Sequence, residues 1–193
     1  MSFSFLGPFH PVIVHTPIAL LIFSAVFGVV ARLFDRDWLK KTSVILLVFG
    51  FLGAWLAVQS GKPAHRVPEH EQGVPEDAID THALFGNRVV LLAGGALLAI
   101  GVASRLSGSA AAAVGALGLI LQLLAAGAVG YTGFLGGKLV FEHGANVRIA
   151  GVLVKNPGAG THRDENGKTA ADTSATSSGD EEDRGRGRGR GGN

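Results

Sequence analysis

Four long apolar stretches restrict this 193-residue chain to one broad class of fold. They cover residues 11–33, 42–60, 82–105 and 115–138, and charged side chains are nearly absent inside them. A hydrocarbon core about 30 Å thick is crossed by about 20 helical residues. The sequence therefore predicts an all-α integral membrane protein, a four-transmembrane-helix bundle within residues 1–155. The lipid bilayer is the first partner that this pattern predicts.

The last 38 or so residues, 156–193, have a different composition. They are rich in Gly, Ser, Thr, acidic residues and Arg, and they end DEEDRGRGRGRGGN. So little apolar surface predicts a disordered polar tail outside the bundle. An Arg-Gly run is able to bind RNA, but the adjacent acidic block neutralises it. With a net charge of only +2 for the whole chain, no nucleic-acid partner is expected.

The connecting segments differ in charge, and this difference predicts an orientation. Basic residues fill the connections after the first and third stretches, namely Arg32, Arg36, Lys40, Lys41 and Arg105. The connection after the second stretch is mainly acidic, with Glu69, Glu71, Glu76, Asp77 and Asp80 against Lys62 and Arg66. The positive-inside rule then predicts a multi-pass protein of a bacterial inner membrane with both termini outside the cytoplasm.

Prolines and glycines suggest where the helices begin and end. The first helix should start at Pro11 and kink at Pro17, because a proline breaks the hydrogen-bond ladder one turn before it. Gly61 is a plausible C-terminal stop for the second helix. Asp80 or Thr81 is expected to cap the third helix, with an aqueous loop before it. An Ala-rich lead-in is expected before the fourth helix.

Several chemistries are excluded or disfavoured. The chain has no cysteine, which excludes disulfides, iron–sulfur clusters and thiol catalysis. No nucleophile or zinc-protease motif occurs, and four helices without an internal repeat or mid-membrane charge give no obvious transport path. Gln122 is the one polar side chain near the middle of the fourth helix, and it is too little for a path. We therefore expect no independent catalytic activity.

Four histidines lie at the ends of the stretches that the topology places on one side, and function is expected there. They are His10, His15, His82 and His143. A polar ring at membrane depth needs a partner in the bundle or a ligand. His10 and His15 are five residues apart, about 140° around a regular helix, so they should serve different partners unless residues 11–17 are irregular.

Three motifs suggest a family. HPVIVHTP opens the first helix, THALFG opens the third, and GFLGGKLVFEHGANV follows the fourth. Together they resemble DUF2231, a bacterial membrane-protein family numbered among the domains of unknown function. The resemblance covers about residues 8–147 and implies a four-helix unit. It implies no activity.

Glycines next to the histidines favour a flat ligand. Gly86 lies one turn from His82 on the same helix face, and Gly133 and Gly136 would share a face with His143 if the fourth helix continued that far. Histidines on different helices beside glycine faces are what a bis-imidazole haem requires. Without a CxxCH motif, such a b-type haem would be bound non-covalently.

Basic residues near the same boundary would pair with the haem propionates, and the candidates are Arg88, Lys138 and Arg148. The four histidines would serve as iron ligands for one haem or two. The predicted function is electron transfer within a redox assembly. Its partners would be other redox membrane subunits or a periplasmic electron carrier.

Other interpretations stay open. The histidines would instead bind Zn²⁺ or Cu²⁺ with help from Glu142 and from the loop residues His65, Glu69, His70 and Glu71. A quinone or proton site is a further possibility. In a cofactor-free scaffold or accessory subunit, the histidines would only join helices, and Lys138 and Glu142, at i and i+4, would form a weak surface ion pair.

Overall fold

Helices form almost all of the chain that the structure describes. The computed structural model describes residues 4–64, 68 and 70–154. A 3₁₀ helix (Ser4–Phe9) leads into a short helix α1 (His10–Ile13). The long helices are α2 (His15–Phe34), α3 (Asp37–Ala64), α4 (Glu76–Ala103) and α5 (Gly108–Phe141). A two-stranded antiparallel hairpin, β1 (Arg148–Ile149) and β2 (Val152–Leu153), pairs Arg148 with Leu153 and Ile149 with Val152.

Four helical segments are long and apolar enough to cross a membrane, which confirms the predicted class of fold. They are Phe5–Phe34, Asp37–Ala64, Glu76–Ala103 and Gly108–Phe141. Large apolar side chains such as Phe23, Leu91 and Leu98 lie on the outside of the bundle, more than half exposed. Lipid would cover such a surface. The predicted tail, residues 156–193, lies outside the described residues.

Three of the four long helices, α3, α4 and α5, are longer than predicted, and the reasons are local. Helix α4 begins at Glu76 after Pro75, not at a cap on Asp80 or Thr81. Acidic residues in the first turn favour a helix N-terminus, so part of the acidic segment is helical and not loop. Helix α5 includes the whole Ala-rich segment, because alanine is the strongest helix former.

Helix α3 does not stop at Gly61 as predicted, but continues to Ala64. Gly61 is buried inside the last turns of α3. Because it has no side chain, the neighbouring segment packs closely against the helix at this point. The entry segment is interrupted as predicted, although the helix begins at His10. The break falls at Val14, one turn before Pro17, whose missing N–H leaves the carbonyl of Ile13 without its helical partner.

The four long helices form a closed ring of neighbours. Helix α2 packs on α3 and α5, and α4 packs on α3 and α5. Small residues dominate the seams, so the helix backbones approach closely. The core consists of Leu21, Leu47, Ala54, Val89, Ala93, Ala96, Ala125 and Val129. A Cβ on Gly50 would lie 2.7 Å from Leu21 Cδ2, which shows how close the α2–α3 approach is.

A buried polar triad joins three helices in the half of the bundle away from the histidines. Gln122 Nε2 donates to Ser24 Oγ and, at 2.8 Å, to Ser43 Oγ. Each serine hydroxyl donates to the other serine's backbone carbonyl, at 2.8 and 2.9 Å. Every donor of the triad therefore has an acceptor inside the protein. The sequence indicated Gln122 as a polar residue near mid-membrane, but not the two serines that accept its hydrogen bonds.

The histidine end carries a cap in which Gln72, from the described part of the α3–α4 connection, binds the hairpin region. Gln72 is 1% exposed; its Nε2 donates to the carbonyls of Gly144 and Val154, and its Oε1 accepts from the backbone N–H of Asn146 at 2.7 Å. Beneath it, Val74, Ile79 and Ala145 form a second small core. This side chain thus fixes the hairpin over the end of the bundle.

The opposite end has tight connections. Asp35, between α2 and α3, adopts a left-handed backbone with φ of 46°. Lys40 Nζ lies 2.6 Å from its carboxylate, and this hydrogen bond and charge lower the pKa of Asp35. Arg32 lies at the same end as Ala103, since both approach Gly115 of α5. The basic connections therefore share one end, opposite the histidines.

Candidate functional site

His10 sits at the first turn of α1 with its ring against α3. Its Nδ1 lies 2.9 Å from Ser60 Oγ, and Ser60 Oγ donates to the carbonyl of Ala57 at 2.9 Å. Because the serine's one proton is used on that carbonyl, the N–H of the pair belongs to His10 Nδ1. The ring packs against Gly61. A Cβ on Gly61 would lie only 3.2 Å from His10 Cε1, so the glycine makes room for the ring.

His82 on α4 is held in the same way by α5. Its Nδ1 lies 3.1 Å from the backbone carbonyl of Thr132. A carbonyl only accepts, so His82 Nδ1 also carries a proton. A Cβ on Gly136 would lie 3.2 Å from His82 Cε1, so this glycine makes room for the ring. The sequence suggested that Gly136 lies beneath His143, whereas Gly136 lies beside His82.

The rings of His10 and His82 lie close together in an edge-on arrangement. Their centroids are 6.3 Å apart and their planes are nearly perpendicular, at 87°. In a neutral ring whose Nδ1 is protonated, Nε2 carries the lone pair that a metal ion needs. An Nδ1–H bond to a carbonyl or hydroxyl is also the usual way in which proteins orient a ligating histidine. His10 and His82 therefore have the tautomer and the orienting hydrogen bond that metal-binding histidines usually have.

Both rings line one cleft of about 490 Å³ at this end of the bundle. Its walls are mainly apolar and include Val14, Ile18, Val58, Val89, Val129 and Val140. Glycines widen it, among them the predicted Gly86, Gly133 and Gly136. A Cβ on Gly86 would meet only ordinary contacts, at 3.8 Å from Val58 and 4.0 Å from Thr132. An apolar cleft with few polar groups is typical of a small-molecule site.

The other two predicted histidines are placed differently. His15 lines the cleft but is exposed, and its Nδ1 lies 2.6 Å from the carbonyl of Pro11, one turn earlier. His10 and His15 thus line one cleft, although they are five residues apart on a segment that is interrupted at Val14. His143 lies in the turn after α5, which ends at Phe141, and it is not among the residues that line the cleft. The condition under which His143 would share a helix face with Gly133 and Gly136, a fourth helix that continues to residue 143, is therefore not met.

The predicted basic partners of a cofactor also lie away from the cleft. Arg88 stacks on Phe85 with 5.0 Å between Cζ and the ring centroid. Lys138 pairs with Glu142 at 3.4 Å, the i,i+4 pair predicted from the sequence. Arg148 Nη1 lies 3.4 Å from the carbonyl of Gly151 in the hairpin. Among the residues that the structure describes, the lysine or arginine that lines the cleft is Lys62, in the last turns of α3.

A conventional metal site is not assembled from the described residues. Within residues 4–64, 68 and 70–154, no group of three His, Asp or Glu side chains is placed to hold a metal ion. Zinc in proteins usually takes three or four protein ligands. His65 and Glu69, two of the loop residues predicted for such a site, lie outside the described residues. His70 and Glu71 are exposed.

Comparison with known protein families agrees with the fold and with the three sequence motifs. A family model described as "Predicted membrane protein (DUF2231)" matches residues 7–148, well over half of the chain. The chain belongs to the DUF2231 family. No curated protein and no solved structure matches it. The matched region runs from the 3₁₀ helix to β1 and thus contains the whole cleft of this DUF2231 protein.

Four residues of this site were not predicted from the sequence. Ser60 and Thr132 hold the two rings, Gly61 makes room for His10, and Lys62 lines the cleft. Each histidine is 50 residues from its hydrogen-bond partner along the chain, so no local spacing reveals the pairing. The sequence does contain one signal for Ser60 and Gly61: they lie at the end of the second stretch that the topology places on the same side as the histidines.

Proposed function

We propose that this DUF2231 protein binds one b-type haem non-covalently, with His10 and His82 as the axial ligands, and that it transfers electrons. The observation that supports the proposal is the pair of perpendicular imidazoles, 6.3 Å apart, with both Nδ1 protons fixed by the protein. Two imidazoles on opposite sides of one metal ion, each with a metal–nitrogen distance of about 2.0–2.1 Å, have ring centroids about 6 Å apart. The observed spacing matches this value.

The number of ligands favours haem over an ion held by the protein alone. A porphyrin supplies four nitrogens, so haem iron needs only two axial ligands from the chain. Zinc needs three or four. Of the three histidines that line the cleft, His10 and His82 are each held through Nδ1 by another helix, and the cleft also has mainly apolar walls for a porphyrin face and glycines in place of side chains.

The residues of the chain would divide the work as follows. His10 and His82 would hold the iron, and Ser60 and the Thr132 carbonyl would keep each ring in the ligating tautomer. The apolar walls would exclude water from the macrocycle. Lys62, exposed at the end of α3 with Nζ 3.1 Å from Gln59 Oε1, would turn to a propionate. Bound haem would supply a one-electron couple.

Orientation belongs to the same proposal. The basic connections lie at the end opposite the cleft, so the positive-inside rule puts the cleft on the outer side of a bacterial inner membrane. Partners there would be a periplasmic electron carrier or other redox subunits of the membrane. A reporter inserted near Gly73 is expected outside the cytoplasm, and one near Asp37 inside. The reverse result would move the electron partners to the cytoplasm.

An optical spectrum tests the cofactor. Protein purified in detergent after expression with ample haem should show a Soret band and a reducible α band, and acidified organic solvent should extract the haem. Ferric protein should give the highly anisotropic low-spin electron paramagnetic resonance signal of perpendicular axial imidazoles. His10→Ala and His82→Ala should each remove these signals. His70→Ala, which changes a histidine outside the proposed ligand pair, is the matched control.

A cofactor-free scaffold or accessory subunit is the second candidate function. The observation in its favour is that the same two hydrogen bonds join α1 to α3 and α4 to α5. Wild-type protein that stays colourless with ample haem would contradict the haem proposal. If His10→Ala and His82→Ala then lowered only the stability of the bundle, the scaffold would be the better account. Colourless protein that retained a lipophilic quinone would indicate a quinone site.

A further inference from the structure

Arg88 is a charged residue on the lipid-facing side of a membrane-spanning helix. It is exposed, and it lies inside the span Glu76–Ala103. Six residues separate it from His82, about 9 Å along the helix at 1.5 Å per residue. A charge at such a depth is costly against hydrocarbon, so intramembrane arginines are rare and usually have a function. The haem proposal does not use this one, because Arg88 is not part of the cleft.

The guanidinium is directed toward the histidine end by an aromatic surface. Arg88 Cζ lies 5.0 Å from the centroid of Phe85, three residues nearer to that end. Phe85 meets Tyr131 of α5 edge-on, with centroids 4.7 Å apart, and Tyr131 stacks with Phe134 at 6.2 Å. Long basic side chains in a membrane bend in this way toward the head groups. We call Phe85, Arg88, Tyr131 and Phe134 the aromatic ledge.

The charge of Arg88 has no carboxylate partner within the described part of the chain. The ion pairs found there are Lys40 with Asp35 and Asp37, and Lys138 with Glu142. Tyr131 and Phe134 are 45% and 62% exposed, so the ledge faces the bilayer and not the core. A cation–π contact orients a guanidinium but does not neutralise it. The described residues thus supply no counter-charge, and the surroundings of an exposed side chain in this span are lipid.

We propose that the aromatic ledge binds the phosphate of an anionic phospholipid in the leaflet at the histidine end. A guanidinium presents a planar fork of donors that matches phosphate oxygens in pairs. The Tyr131 hydroxyl is a further donor for the same head group, and tyrosine is enriched at this level of membranes. A phospholipid with an ammonium head group neutralises its own phosphate, so an anionic lipid is the better partner. This inference does not depend on haem.

Lipid retention tests the proposal. The protein in detergent is equilibrated with equal amounts of dioleoyl phosphatidylglycerol and dioleoyl phosphatidylcholine, and native mass spectrometry counts the copies of each that stay bound. Wild type should retain phosphatidylglycerol preferentially. Arg88→Ala should lower that preference about tenfold, the effect of one charge-assisted hydrogen-bonded contact. Arg148→Ala makes the same charge change in the hairpin, and it should leave the preference unchanged.

Two further variants distinguish the contribution of the planar guanidinium of Arg88 from that of its charge and from that of the Phe85 ring. Arg88→Lys keeps the charge without the planar fork and should retain an intermediate preference. Phe85→Leu keeps the arginine and removes the ring, and it should also weaken retention. Either conservative variant remains informative if Arg88→Ala fails to fold.

Three results would overturn the proposal. One is equal retention of phosphatidylglycerol by wild type and folded Arg88→Ala. Another is equal retention of the two lipids by wild type, which would remove the anionic selectivity. The third is displacement of bound phosphatidylglycerol by inorganic phosphate at equal concentration, which would replace a membrane lipid by a soluble anion.

Discussion

The two halves of the bundle treat polar groups in opposite ways. Away from the histidines, Gln122, Ser24 and Ser43 satisfy one another's donors with two backbone carbonyls as acceptors. At the histidine end, the Nδ1 atoms of His10 and His82 are hydrogen-bonded to the protein, and both rings line a cleft of about 490 Å³. A closed network joins helices, whereas supported rings beside a cleft are suited to a ligand.

Gly118 and Gly86 show a similar difference in how closely neighbouring atoms approach them. A Cβ on Gly118, in the closed half, would lie 2.8 Å from Ile100 Cγ1, closer than real Cβ atoms come to a neighbour. A Cβ on Gly86, at the cleft, would meet nothing closer than 3.8 Å. Gly118 is thus a packing residue, whereas Gly86 leaves space at the cleft. Sequence alone treats the two alike.

The largest expected effect comes from leucine at these two glycines. Gly118→Leu should prevent normal assembly or cost about 1–3 kcal/mol of bundle stability, because Ile100 and its backbone have to move. Gly86→Leu should leave the bundle stable while its side chain enters the cleft and abolishes cofactor binding. Unfolding in mixed micelles measures the first effect and the optical spectrum the second. Similar behaviour of the two variants would remove the distinction between the halves.

The next effect concerns the closed network. Gln122→Leu removes two hydrogen bonds, and at about 0.6 kcal/mol for each interhelical bond in a membrane it should cost about 1 kcal/mol of stability. The cleft is distant, so the cofactor spectrum should not change. Unfolding in mixed micelles and the spectrum of the same sample test both parts. A spectrum altered by Gln122→Leu would show that the two halves are coupled.

These glycines and this network also show where sequence-based prediction ends. The apolar stretches predict four spanning helices because hydrocarbon thickness requires a certain length, and the structure confirms them. Helix ends were predicted poorly because they depend on weak local preferences, as at Gly61, where packing under His10 outweighs a stop signal. His10 and His82 were predicted from position, but their partners lie 50 residues away and no spacing encodes them.

A smaller effect is expected at Gly136, which touches a proposed ligand. Its Cβ would lie 3.2 Å from His82 Cε1, so Gly136→Ala should displace the ring by a few tenths of an ångström without removing it. The haem should remain, with a shifted reduction potential and a changed electron paramagnetic resonance signal. Gly137→Ala, where a Cβ would meet nothing within 4 Å, is the matched control. Equal potentials in both variants would place the bound His82 elsewhere.

The smallest expected effect separates the four predicted histidines into ligands and neighbours. His143 lies beyond the end of α5 and outside the cleft, so His143→Ala should leave both spectrum and potential unchanged. His15 lines the cleft, but its Nδ1 is bonded to Pro11 of its own segment; His15→Ala should therefore shift the potential without loss of colour. Redox titration of the two variants beside wild type makes the measurement. Loss of the haem spectrum in His143→Ala would mean that the hairpin side supplies an axial ligand, and the pairing of His10 with His82 would then be wrong.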